Sequence, residues 1–193
     1  MSAIEIIPYQ FRWPAEFQSL GATLRQALGP LALRIDHIGS TSVPGLGAKD
    51  VIDVQVTVAA LSPEESLTAA FAAAGRPLRP GVLEDHRPAG DLRPGTNWQK
   101  RYCPELPGER RVHVHARAAG TANQRYALLF RDFLRSNLAA SGSYDQIKRE
   151  LARLHPDDAD AYYAVKDPIC DLIMVAAEVW ATSVNWRPIP SDA

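Results

Sequence analysis

The sequence predicts an α+β fold, a small mixed or antiparallel β-sheet covered by helices, with a helical C-terminal third. Three observations carry this. Phe17, Leu20, Leu24 and Leu28 recur at helical spacing near the start of the chain. The middle alternates apolar and polar residues with period two, at Val51 to Val58 and at Arg111 to Arg117. From Tyr126 onward the apolar residues return to helix period, an order of elements typical of α+β proteins. The 193 residues fit one domain over 1–193, with a sub-boundary near residue 119 where the helical part begins.

The elements follow in order. Pro14 suits the first turn of a helix, and Gly29-Pro30 stops it. Leu31 to Ile38 and Val51 to Ala59 read as strands flanking a Gly/Ser/Thr/Pro turn. Pro63 to Gly75 reads as a second helix. Arg76 to Pro94, rich in Pro, Gly and Arg, reads as an irregular segment placed to fold over a site. Strands are expected at Asn97 to Cys103 and Arg111 to Arg117. In the C-terminal part Leu129, Phe130, Phe133 and Leu134 mark one helix, and Ser143 with Gln146 reads as the capping box of the next. Asp167-Pro168 is expected to open the last, with Ile169, Leu172, Ile173, Ala176, Val179 and Trp180 as its buried face.

Composition excludes several classes. Hydrophobic residues at 46% and charged residues at 22% are ordinary for a globular protein, which removes disordered, collagen-like and coiled-coil readings. Twenty-one Lys and Arg against 22 Asp and Glu give a net charge of −1, so there is no global basic field and neither a nucleic-acid nor a membrane partner is expected. The charge is uneven: 76–131 carries 11 basic and 5 acidic residues, a local excess of six. Those cations, Arg93, Arg101, Arg111 and Arg117 among them, either line a phosphate-binding cleft or form a solvated Arg-rich face. Cys103 and Cys170 show neither disulfide nor zinc spacing, and Leu172 to Ala177 is too short to span a bilayer, so a cytoplasmic location is expected.

The segment Asp36-His37-Ile38-Gly39-Ser40-Thr41-Ser42-Val43-Pro44-Gly45 holds the most unusual chemistry. It leaves a strand through a Gly and three hydroxyl residues, whose N–H and O–H groups suit phosphate oxygens; the alternative is a plain turn with capping hydroxyls. P-loop and GxSxG patterns are absent. Asp53 and Gln55 project from one face of the following strand, and His113 and His115 from one face of a later one. A shared metal or phosphate is one explanation of these residues; a buried ion pair and a half-solvated strand are the others. Lys49 is a weaker candidate beside them. Tyr144 with Lys148 and Tyr162 with Lys166 are i,i+4 pairs on a helix surface or on a rim facing a ligand.

HIGSTSVPGLGAKDVIDVQV, with IEIIPYQFRWPAEF before it and RVHVHARAAG, FRDFLR, YDQIKRELA and YYAVKDP after it, closely resembles the GrpB family from about residue 4 to residue 170. The resemblance implies a nucleotidyltransferase-like fold, with Gly39 and Ser40 at the nucleotide phosphates; Thr41, Ser42, Lys49, Arg101 and Arg111 are further phosphate-binding candidates from the turn and from the cationic middle segment. It also implies Asp53 as catalytic residue and first metal ligand. Gln55 stands at the second carboxylate position and His113 and His115 at the later strand, a donor set that suits a softer divalent ion than magnesium alone; Mg, Mn and Zn are all candidates. Family members fused to dephospho-CoA kinase, where this part is thought to help the kinase fold, imply the other class. The expectations are thus a cleft binding a nucleotide or other phosphorylated small molecule, with metal-dependent nucleotidyl or phosphoryl transfer, or a non-catalytic binding or folding-assistance module. A metal-dependent phosphoester hydrolase is a weaker third.

Overall fold

The structure, a computed structural model, describes residues 3–91 and 97–193. Arg93 and the end of the irregular segment expected up to Pro94 lie outside the described residues. Helix α1 (Trp13–Leu28) has Pro14 in its first turn and ends at Gly29, and a short 3₁₀ turn follows over Gly29–Leu31. Strand β1 (Arg34–Ile38) therefore begins later than expected, because the Pro30 turn uses the residues before it. A second 3₁₀ turn, Ser40–Ser42, leads towards β2 (Ile52–Val58), and α2 (Glu64–Ala73) packs beside α1. Strand β3 is only Arg101–Cys103, β4 is Val112–Ala118, and α3 (Ala122–Ser136), α4 (Leu138–Leu154) and α5 (Ala159–Ser183) complete the chain.

The four strands form one mixed sheet in the order β1-β2-β4-β3, with β2 and β4 parallel and both edge strands antiparallel. Its two faces differ in chemistry. Ile35, Val54, Val56, Val114 and Ala116 point to one face and join Trp13, Phe17, Leu24 and Phe71 in a core under α1 and α2. Asp53, Gln55 and Thr57 point to the other, in register with His113, His115 and Arg117 on β4. That polar face is covered by α3, which is clamped to β1 by the fully buried Arg131. Its guanidinium donates to Asp132 (2.7 Å), to Asp192 (2.7 Å) and to the His37 carbonyl (3.1 Å). A second core, of Leu129, Phe133, Leu134, Met174 and Ala177 with Val43 and Leu46, holds α3 and α5 together.

Three helical expectations are corrected. Helix α4 starts at Leu138, where the Asn137 side chain accepts a hydrogen bond from Ala140 N at 2.9 Å, so Ser143 and Gln146 lie inside the helix and form no capping box. Helix α5 starts at Ala159 under the Asp158 cap (2.9 Å to Ala161 N) and runs through Pro168. Pro168 removes one backbone hydrogen bond, a loss that packing of Tyr162, Met174, Ala177 and Ala181 on either side offsets. The buried face of α5 is Tyr162, Cys170, Met174, Ala177 and Ala181; of the expected face Ile169, Ile173 and Trp180 do pack against the core, partly buried, while Leu172 and Val179 are 67% and 69% exposed. Small side chains at Ala177 and Ala181 let α5 approach its neighbours closely, which leaves Leu172 and Val179 outward. Among the described residues no helix is long and apolar enough to cross a membrane.

Candidate functional site

Where the polar face of the sheet meets the helices, a cleft of about 500 Å³ opens. Its first wall is the turn after β1. Gly39 has φ +69°, and a Cβ there would stand 2.4 Å from Asp53 Oδ2, so only glycine lets the turn approach this carboxylate. The 3₁₀ bonds are donated by Ser42 and Val43, to the carbonyls of Gly39 and Ser40, which leaves Ser40 and Thr41 N–H outside the ladder. The three hydroxyls differ. Thr41 Oγ1 donates to Val51 O at 3.1 Å and Ser42 Oγ to Gly39 O at 2.6 Å, both buried and structural. Ser40 Oγ instead accepts from Lys148 Nζ at 3.0 Å and faces the cleft.

The sheet supplies the floor. Asp53 Oδ1 lies 3.4 Å from His113 Nδ1 and 3.9 Å from His115 Nε2, and His113 Nε2 lies 4.0 Å from Glu105 Oε2. Burial works to raise the Asp53 carboxyl, but hydrogen bonding to the two imidazoles overrides it and holds the group below the ordinary carboxylate range. Burial takes His115 down to about 4 against the pull of Asp53, so at neutral pH the carboxylate faces an uncharged ring there. Tyr102, paired with His115 across β3 and β4, packs its ring on both histidines at 5.6 and 5.2 Å and carries a hydroxyl pushed up to about 12 by burial and by Asp53.

Gln55 does not reach the cleft as a ligand. It is fully buried, accepting from Arg117 (2.6 Å) and donating to the Gln124 carbonyl (3.2 Å). Arg117 also donates to Asp85 at 2.7 and 3.0 Å, and Asp85 further accepts from Lys100 (2.8 Å) and Asn123 (2.9 Å). Burial of Asp85 opposes ionisation, yet Arg117 and Lys100 hold its carboxyl well below the usual range. Asp85 thereby pins the irregular segment over the cleft.

Helices α4 and α5 form the last wall. Lys148 is 2% exposed, donates to Ser40 Oγ and to the Gly47 carbonyl, and sits over the Tyr144 ring; burial lowers its ammonium to about 7. Lys49 donates to the Tyr163 hydroxyl, and Lys166 to Asp167 at 3.3 Å. The structure thus gathers Gly39, Ser40, Thr41, Lys49, Asp53, His113 and His115 around one space. It does not bring Ser42, Arg101 or Arg111 there. Arg101 points to the opposite sheet face and pairs with Glu64 on α2 at 3.0 Å, while Arg111 pairs with Glu105 at 2.6 Å. Tyr102 and Asp85 stand in the cleft beside the residues expected there. Tyr102 carried a signal, since its β-strand parity opposes that of Arg101; Asp85, in a segment without periodicity, carried none.

Among the described residues no group of three or more His, Cys, Asp or Glu is arranged to hold a metal ion. The donor chemistry of Asp53, His113 and His115 suits one, but His115 Nδ1 is buried without a hydrogen-bond partner, whereas a metal-bound imidazole normally donates its second N–H to an oxygen. The residues as they stand therefore do not fit a resident ion.

An α+β protein with a cationic, aromatic-walled cleft between its sheet and its helices is the class that fold and site define. A family model described as GrpB protein matches residues 3–175. The crystal structure of conserved protein GrpB from Enterococcus faecalis superposes with a TM-score of 0.71 at 30% identity, over 91% of this chain and 99% of that one. A UPF0157 protein from Halalkalibacterium halodurans is 31% identical, over 91% of this chain and 83% of its own. A dephospho-CoA kinase from Mycolicibacterium paratuberculosis is 36% identical, over 96% of this chain and 48% of its own, so the chain spans about half the length of that relative. The chain belongs to the GrpB family.

Proposed function

We propose that the cleft binds a phosphorylated small molecule, a nucleotide by preference, and that Gly39, Ser40 and Thr41 hold its phosphate end. The observation that carries this reading is the convergence of Lys49 and Lys166 with the Ser40 turn, whose Ser40 and Thr41 N–H groups lie outside the 3₁₀ ladder, in a cleft whose size matches small-molecule sites. The rings of Tyr102, from the sheet, and Tyr163, from α5, line the same cleft and suit a planar base. Asp53, between the two imidazoles, stays ionised and is the hydrogen-bond acceptor for a hydroxyl of the ligand. No step of this reading passes through a metal, because Asp53, His113 and His115 as they stand do not fit a resident ion. Arg101 and Arg111 have no part in it.

The test is calorimetric titration with ATP, AMP and inorganic phosphate, each alone and with Mg, Mn or Zn. Micromolar binding of a nucleotide that weakens in Ser40→Ala and Lys49→Ala is expected. No binding of any of them overturns the reading.

A second reading rests on a separate observation. Leu172, Val175 and Val179 form an exposed apolar stripe on α5, and the dephospho-CoA kinases that match this chain are about twice its length. In that reading the chain is a non-catalytic folding-assistance module. Added protein should then raise the refolding yield of a dephospho-CoA kinase, and Leu172→Asp with Val179→Asp should remove the effect; an unchanged yield rules it out.

A further inference from the structure

We infer that Ser40 and Lys148 form a nucleophile–base pair, in which the Ser40 hydroxyl takes a phosphoryl group from a phosphoanhydride bound in the cleft. The choice of substrate rests on the phosphate-binding reading above; the pair itself rests on geometry. Lys148 Nζ lies 3.0 Å from Ser40 Oγ, within the range of a nucleophile and its base. Of the three hydroxyls in the turn, only this one is not given to a backbone carbonyl. Both polar partners of Lys148 are uncharged oxygens, Ser40 Oγ and Gly47 O, and the side chain is almost wholly buried.

A neutral amine suits that setting better than an ammonium. It keeps an N–H for Gly47 O, which orients it, and offers its lone pair to the Ser40 hydroxyl. Burial lowers Lys148 to about 7, so much of it is a free base under ordinary conditions. Serine–lysine pairs arise on unrelated folds and are recognised by geometry and role, so the absent GxSxG pattern does not bear on this one.

The step balances within the site. Ser40 Oγ attacks phosphorus, the Oγ–P bond forms and the P–O bond to the leaving group breaks. Lys148 takes the Oγ proton and returns it to the leaving oxygen. The N–H groups of Ser40 and Thr41, outside the 3₁₀ ladder, are the donors left for the phosphoryl oxygens. Water or an acceptor hydroxyl then takes the phosphoryl group from Ser40.

Diisopropyl fluorophosphate tests the pair without any assumption about the natural ligand, because Oγ–P formation and loss of fluoride use the same two residues. The full chain should acquire one adduct, mapped to Ser40 by mass spectrometry, at a rate that rises with pH around about 7. Ser40→Ala should abolish it. Lys148→Met and Lys148→Arg should slow it by roughly a hundredfold or more, the usual contribution of a general base. Arginine keeps the charge and the donors, so it reports on the base even where methionine disturbs folding. No adduct, an adduct elsewhere, or wild-type labelling of Lys148→Arg overturns the pair. Labelling of Ser40 without nucleotide binding by calorimetry keeps the pair and removes the phosphate reading; binding without labelling does the reverse.

Discussion

Gly39 and Asp53 occupy positions that exclude any side chain between them: a Cβ on Gly39 would meet Asp53 Oδ2 at 2.4 Å and Asp53 Cβ at 3.0 Å. The turn after β1 and the carboxylate on β2 are therefore fixed by one contact. Gly39→Ala combines this clash with a strained φ of +69°, and a loss of at least about 2 kcal/mol is expected. Chemical denaturation measures it. A loss below a few tenths of a kcal/mol would mean that the turn moves freely away from Asp53.

Asp53 itself is flanked by two imidazoles, at 3.4 and 3.9 Å, so neutralising it removes the negative charge that both rings face. Its folded carboxyl is held below the unfolded value of 3.8, and a depressed carboxylate contributes stability that is present above that value and lost as pH falls beneath it. Asp53→Asn should thus destabilise the protein by about 1 kcal/mol at neutral pH, a modest figure because the contacts are long and partly solvated. The difference should shrink in acid. Equal or higher stability of Asp53→Asn at neutral pH contradicts the pairing.

The Asp85 network gives a larger effect. Asp85 receives hydrogen bonds from Arg117, Lys100 and Asn123 in a largely buried setting, and breaking such a cluster leaves cations without their partner. Asp85→Ala should lower stability by about 3 kcal/mol and loosen the segment over the cleft. Hydrogen exchange of residues 83–86 is the direct measure of that loosening, and unchanged protection would separate Asp85 from the closure of the site.

The sheet was legible in the sequence because its signal is binary. Parity within a strand puts Asp53 with Gln55 and His113 with His115, and a parallel register joins the two pairs on one face. Helix faces were less so. Helix α5 has apolar residues on more than one side, and periodicity chose a face of which Ile169, Ile173 and Trp180 pack inward but Leu172 and Val179 do not, whereas close packing selected Ala177 and Ala181. Asp167-Pro168 looked like a helix start because proline favours the first turn, although a long helix with packing on both sides of Pro168 accommodates it. The roles of Gln55 and Asp85 come from partners distant in sequence, Arg117 above all, and no local pattern encodes them.

Placement of the cations separates their contributions to ligand binding. Lys49 lines the cleft, while Arg101 is paired with Glu64 on the other side of the sheet. Lys49→Ala should weaken nucleotide affinity by roughly tenfold, the order expected for loss of one charge-assisted contact, and Arg101→Ala should leave it unchanged. Calorimetry on the two variants side by side checks this, and a larger effect from Arg101→Ala would relocate the phosphate site.

Lys148 has the most distinctive dependence on pH. Its folded value of about 7 lies below the unfolded 10.5, so between these limits the unfolded chain holds a proton that the folded one does not. Stability contributed at this position therefore rises with pH across that window; below about 7 both states are charged and burial of the ammonium carries its full penalty. Lys148→Met removes the titration along with the bonds to Ser40 and Gly47. The stability of the parent protein minus that of Lys148→Met should increase by about 2 kcal/mol between about pH 7 and about pH 9, as the linkage slope requires. Subtracting the variant cancels the tyrosines and other groups that titrate in both. Urea denaturation across the range gives the two curves. If they run parallel, Lys148 keeps its proton in the folded state and cannot serve Ser40 as a base.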